Sequence, residues 1–175
     1  MQEPLSLKEH LNRVLEAARQ VVAIDRFYCW ALTPGGDTLV NLAAAGFSAA
    51  EWEDFVGTEI PLVGAGAMYK AYREGIPLVF NEENPLPPEL RLKPPYSAIK
   101  GIPSRSFLVI PMIARGRTVA VLAADNEQTG EPILPRTVEL LQTFASHAAV
   151  AIDNARLLGE IQDKRQELEV ASQHK

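Results

Sequence analysis

The chain has 175 residues, 47% hydrophobic and 22% charged, which suits one domain with a buried core plus extensions. A net charge of −5 argues against nucleic acid as a partner, because such proteins present a basic face. No apolar run approaches the ~18 residues of a membrane span, and Met1–Ser6 lacks the basic and apolar regions of a secretory signal, so a cytoplasmic location without membrane contact by this segment is expected.

Ser6-Leu-Lys-Glu9 has the spacing of a capping box, and Leu7, Leu11, Val14, Leu15, Ala18, Val21 and Val22 behind it form one apolar helical stripe. Phe27–Leu32 reads as an aromatic-rich strand. Thr33-Pro-Gly-Gly-Asp37 is a turn signal, so Thr38–Ala45 should return antiparallel. A short helix over 48–56, capped by Ser48, carries Trp52 and Phe55. A second short helix follows Gly64-Ala-Gly-Ala67 and closes at Gly75. Ile76–Phe80 is a short strand. Asn81–Arg105 is Pro-rich and irregular and, at about 25 residues, has the length of a functional lid or a disordered segment. Ser106–Ala114 and Thr118–Asp125 are strands joined by the tight basic turn Arg115-Gly-Arg117. A single helix then runs from about Pro135 with no further proline through Lys175. At ~1.5 Å per residue its roughly 40 residues reach about 60 Å, against a radius of gyration near ~15 Å for a compact domain of this size. Its last turns must project.

The class is therefore α+β: a central antiparallel sheet of about five to six strands. Helices from both ends of the chain can cover one face of it. With these elements in place the chain resembles a GAF domain, a small-molecule sensory module of signalling proteins. The matching pieces are Ile24-Asp-Arg26, the Pro34-Gly-Gly turn, Gly75-Ile-Pro-Leu-Val79, Ser106–Pro111 with Gly116-Arg-Thr-Val119, and Ala123-Ala-Asp-Asn126 through the segment Phe144–Leu157. Together they cover about Leu5 to Leu158. Gln166–Lys175 is similar to the segment that often leads into the phosphoacceptor helix of a histidine kinase. The resemblance implies a GAF/PAS-like sheet with the ligand pocket under the short helices and the loop. Relatives often place a capping Thr or Ser before the last helix, where this chain has Leu134.

Cys29 is a lone thiol in a central strand and reads as an inert small hydrophobe. GAF-like methionine sulfoxide reductases need several cysteines, and bilin-binding relatives need one near the pocket helices, so neither chemistry is expected. His10, His147 and His174 have no second ligand at a metal or haem spacing. The Asn, Lys, Phe, Asp and Glu set of cyclic-nucleotide-binding relatives is not evident, and Asp125-Asn126 reads as a turn bonding its own backbone. Strand alternation puts Tyr28 and Trp30 on one face and Phe27, Cys29 and Ala31 on the other, with the small residues suited to close helix packing. Tyr28 and Trp30, which can pack and also donate hydrogen bonds, mark the pocket face. Tyr96, Arg105 and Ser106 join them as candidate ligand-binding residues from the loop and the strand it enters.

No catalytic set, metal site or phosphate-binding glycine loop is found, and no cofactor is expected. The terminal helix shows a seam, Ala151, Asn154, Leu158, Ile161, Arg165, Leu168 and Ser172, at +3/+4 spacing, with Glu160 and Lys164 beside it. The expected function is a small-molecule-sensing regulatory domain of a bacterial signal-transduction protein. Residues 1–158 form the sensory domain, and 159–175 begin a coiled-coil linker to an output domain, a histidine kinase. The partners expected are a second copy through the terminal helices and an unidentified small molecule. The alternative is a ligand-free dimerisation spacer; a cyclic-nucleotide-binding domain ranks below it.

Overall fold

The computed structural model describes residues 6–55, 57–98 and 106–173. The elements are α1 (Leu7–Val21), β1 (Arg26–Leu32), β2 (Thr38–Ala45), α2 (Ala49–Phe55), β3 (Glu59–Pro61), α3 (Ala67–Glu74), β4 (Leu78–Phe80), β5 (Phe107–Ala114), β6 (Arg117–Asp125) and α4 (Pro135–Gln173). Six antiparallel strands form one sheet in the order β3-β2-β1-β6-β5-β4. Among the described residues no helix is long and apolar enough to cross a membrane.

Local chemistry accounts for most boundaries. Ser6 caps α1, its hydroxyl accepting the Glu9 amide at 3.2 Å. The reciprocal capping box is complete at α2: Ser48 Oγ accepts from the Glu51 amide, and Glu51 accepts from the Ser48 amide at 2.8 Å. α3 ends at Gly75 in the left-handed region, whose amide donates to Ala71. α4 begins at Pro135 directly after Leu134, and proline suits this first helical position because its missing N–H is no loss there. β4 is shorter than the expected strand from Ile76. Ile76 is exposed and Pro77 has no N–H to give a ladder, so pairing starts at Leu78. β3 was not expected at all; its three residues are held mainly by pairing with Thr38–Val40 of β2. Pro111 sits inside β5 because β4 covers only Phe107–Val109, so its position faces no strand on that side.

The sheet separates two cores. On one face Leu11, Leu15 and Ala18 of α1 and Leu141, Ala145, Ala148, Ala149 and Ile152 of α4 pack on Phe27, Cys29, Leu108, Ile110, Ala120, Leu122 and Ala124. Of the expected α1 stripe, Val21 is exposed, while Ala18 and Val22 beside it stay buried in this core. On the other face Tyr28, Trp30, Leu39, Ile60, Phe80, Val109 and Ala123 meet α3 and the segment from Pro85 to Tyr96. A β-bulge at Cys29/Trp30 lets β2 serve both cores: Ala43 and Ala45 join the first, Leu39 the second.

Candidate ligand site

Between the second sheet face and its cover lies a cavity of about 730 Å3. Its floor comes from alternate residues of four strands: Tyr28, Ala123, Val109, Phe107 and Phe80. The Phe80 and Phe107 rings sit 5.1 Å apart, which follows from their direct pairing across β4 and β5. Met68 of α3 closes one side. A strap of chain including a 3₁₀ turn at Pro88–Leu90 closes the top, with Leu90, Arg91 and Leu92 lining the space. Polar groups stand at the margin: Asn81, Glu82, Ser97 and Glu127. A mostly apolar space of this size with a few placed polar groups has the character of a small-molecule site.

One edge of the floor is braced by a buried polar network. Arg26 donates from Nε and Nη2 to both oxygens of Asp125, each at 2.8 Å. The Tyr28 hydroxyl donates to Asp125 Oδ2 at 3.3 Å, and the Glu127 amide donates to Oδ1. Arg26 also lies over the Phe47 ring at 5.1 Å, and that ring meets Tyr28 edge-on. Burial raises the Asp125 carboxyl above its ordinary range, with the Arg26 pair pulling the other way. Burial also pulls the Arg26 guanidinium down, but its bonds to Asp125 outweigh that and leave it raised. Burial, then the Asp125 charge, push the Tyr28 phenol well above its usual value, so it stays a neutral donor. Asn126 works differently from the expected turn residue. Its side chain accepts the Asp25 amide at 2.9 Å and donates to the carbonyls of Ala23 and Glu131, tying the end of β6 to the chain entering β1. Asp125, likewise, spends most of its bonding capacity across the sheet and only one bond on its own turn.

Of the candidate residues, Tyr28 lines the cavity. Trp30 lies on the same face, fully buried and packed in the core around Leu39 and Ile60, outside the cavity wall. Its Nε1 and the side-chain amide of the paired Asn41 have no hydrogen-bond partner among the described residues. Tyr96 is half-buried against this core, and its neighbour Ser97 is the one that reaches the lining. Ser106 enters β5, its carbonyl accepting the Asn126 amide at 3.3 Å. Arg105 lies outside the described residues. Sequence reasoning missed Phe80, Phe107, Met68, Arg91 and Glu127. Strand parity could have found the first two once β4 was paired with β5; the others depend on how the cover folds back.

Cys29 belongs to the helical face, 1% exposed, where burial pushes its thiol up to about 12. It donates to the Met112 sulfur at 3.6 Å. The thiolate needed for redox or nucleophilic chemistry is strongly disfavoured there. Among the described residues no cluster of three or more His, Cys, Asp or Glu could hold a metal.

A family model described as GAF domain matches residues 6–152. The circadian input-output histidine kinase CikA of Synechococcus elongatus is 28% identical over 180 residues, covering 94% of this chain and 24% of that protein. The chain thus spans about a quarter of the length of that curated relative. Among solved structures, residues 122 to 287 of a methyl-accepting chemotaxis protein superpose with a TM-score of 0.77 at 25% identity, covering 87% of this chain and 92% of that one. A free methionine-R-sulfoxide reductase from Neisseria meningitidis, solved with its substrate, superposes at 0.62 with 21% identity, over 87% and 81% of the two chains. The last likeness is one of fold.

Proposed function

The chain belongs to the GAF family, and from that premise we propose that it is the small-molecule-sensing regulatory domain of a bacterial signal-transduction protein. Its cavity takes a largely apolar ligand, and α4 carries the resulting shift to an output domain, a histidine kinase as in the relative from Synechococcus. The observation that supports this most is the double use of the β5–β6 hairpin. Phe107, Val109 and Ala123 face the cavity, while Leu108, Ile110, Met112 and Leu122 on the same strands pack in the core that α4 shares. A ligand pressing on the floor therefore reaches α4 through the thickness of one sheet.

The turn of that hairpin is also fastened to α4. Arg115, at φ 52, places Nε 3.2 Å from the buried Asp153 carboxylate, an ion pair without hydrogen-bond alignment. Asp153 is held from the other side by Arg156 at 2.9 Å, which reaches on to Glu160. Beyond this clamp Leu158, Ile161 and Leu168 are exposed along α4. We assign that seam to a second copy of the chain, in a homodimer on the cytoplasmic side, because apolar residues repeated at this spacing on a projecting helix are the pattern of a two-helix coil. The chain acts here as a regulator and not as an enzyme: its one cysteine is buried in the helical core, away from the cavity. Coupling requires that the ligand bind one arrangement of sheet and helix better than the other.

The test is retention of small molecules. The purified chain, incubated with a bacterial metabolite extract and desalted, should hold a ligand detectable by native mass spectrometry. Ala123→Phe fills the cavity from its floor and should abolish retention while keeping the fold. Retention unchanged in that variant would place the ligand elsewhere, and no retention by the wild type would favour a ligand-free dimerisation spacer.

A further inference from the structure

We propose that the outer side of the strap carries a second site, for the phosphoryl anion of a small molecule. A groove of about 200 Å3 runs between α3 and the strap. Lys70 and Arg73 line it from α3, Arg91 and Lys93 from the strap, and Glu89 is the one carboxylate among its lining residues. The chain as a whole has 22 acidic against 17 basic residues, so four cations against one carboxylate reverse the local sign. Such a cleft, lined by one sign of charge, concentrates the opposite ion.

The cations are not consumed by each other's neighbours. Lys70 Nζ stands 3.9 Å from Glu74, a half-exposed pair of little strength. Arg73 lies over the Tyr69 ring at 5.3 Å, a contact that leaves its N–H donors available. Arg91 and Lys93 make no ion pair among the described residues. The two walls are held at a set spacing by backbone contact. Gly66, at φ 57, lets the strap approach so closely that a Cβ there would collide with the Leu90 carbonyl, and the Lys93 amide donates to the Gly64 carbonyl at 3.5 Å. Cations arriving from two walls suit a phosphoryl group, with about −1.5 to −2 charges and three acceptor oxygens. A carboxylate has one charge and two oxygens in a plane. The groove's volume suits a phosphoryl group on a small body.

Leu90 and Arg91 line this groove on one side and the inner cavity on the other. An anion in the groove would hold the strap down over the cavity, and any ligand inside would in turn alter anion affinity. The site itself does not depend on the cavity being a ligand site.

The test is an amide-resolved NMR titration of the 175-residue chain with inorganic pyrophosphate, beside sodium chloride at matched ionic strength and beside succinate. Saturable shifts confined to residues 66–73 and 89–93 are expected. The Lys70→Gln/Lys93→Gln double variant should bind at least about tenfold more weakly, as lost charge-assisted contacts imply. Equal shifts with sodium chloride, or undiminished binding by the double variant, would overturn the site. Succinate binding as tightly as pyrophosphate would overturn the phosphoryl assignment. Should the double variant lose its dispersed spectrum, Arg91→Gln and Lys93→Gln singly put the same question.

Discussion

The two faces of the sheet are built from the same strands and differ in what covers them. The helical face meets α1 and α4, 15 and 39 residues long, whose regular ridges lie along Ala18, Ala120, Ala124, Ala145 and Ala149. Small residues on both sides let helix and sheet approach closely, and long helices keep that approach over several turns. The other face meets the eight-residue α3 and a strap with a 3₁₀ turn. Elements this short cannot interdigitate over the whole floor, and large aromatic walls span what remains as a cavity. A filled core and a binding space thus arise on opposite sides of one sheet from the length of the covering elements as much as from strand composition.

The buried network at the cavity's edge offers the largest test of this contrast. Asp125 is 0% and Arg26 4% exposed, so Asp125→Ala would strand a buried guanidinium. A loss of about 3–5 kcal/mol is expected from chemical denaturation, because breaking a buried pair leaves one charge uncompensated. A loss under about 1 kcal/mol would mean that water reaches Arg26 and that this edge is not sealed.

A smaller effect compares the faces directly. Ala120 and Ala123 lie three residues apart on β6, one under the helices and one on the cavity floor. Ala120→Leu should cost about 1–3 kcal/mol through overpacking, whereas Ala123→Leu, with space above it, should cost less than about 1 kcal/mol. Equal denaturation midpoints for the two variants would erase the distinction between a filled and an open face.

The last comparison is read from pH. Burial lifts the Cys29 thiol from 9.0 to about 12 and lifts the Tyr28 phenol in the same direction. Each group is raised in the folded state, so its stabilising contribution is complete below its unfolded value and is lost as pH rises through the folded one. For Cys29 that window runs from 9.0 to about 12. The unfolding free energy from urea melts should fall above pH 9 for Cys29 and above pH 10 for Tyr28, by up to roughly 1.4 kcal/mol per pH unit for each group. Cys29→Ala should remove its share of the slope and leave the Tyr28 share. An unchanged slope in that variant would show the helical-face core to be open to hydroxide.

What could be read along the chain was local. The Ser6 cap, the hairpin turns, the closure of α3 at Gly75 and the alternation that puts Tyr28 opposite Cys29 each depend on residues a few positions apart, where backbone preference and strand parity suffice. The class was legible for the same reason, and the two-sided sheet came with the family resemblance. Tertiary structure alone decided the rest. Arg26 and Asp125 are 99 residues apart in sequence, and nothing near either one announces a bidentate pair. β3 is too short to show a period, and exists because β2 offers it an edge. The cavity wall from Met68, Leu90 and Arg91, and the groove behind it, depend on how a proline-rich strap lies against α3. That placement is set by close backbone approach at Gly66 and by burial summed over many partners, quantities that no stretch of sequence carries by itself.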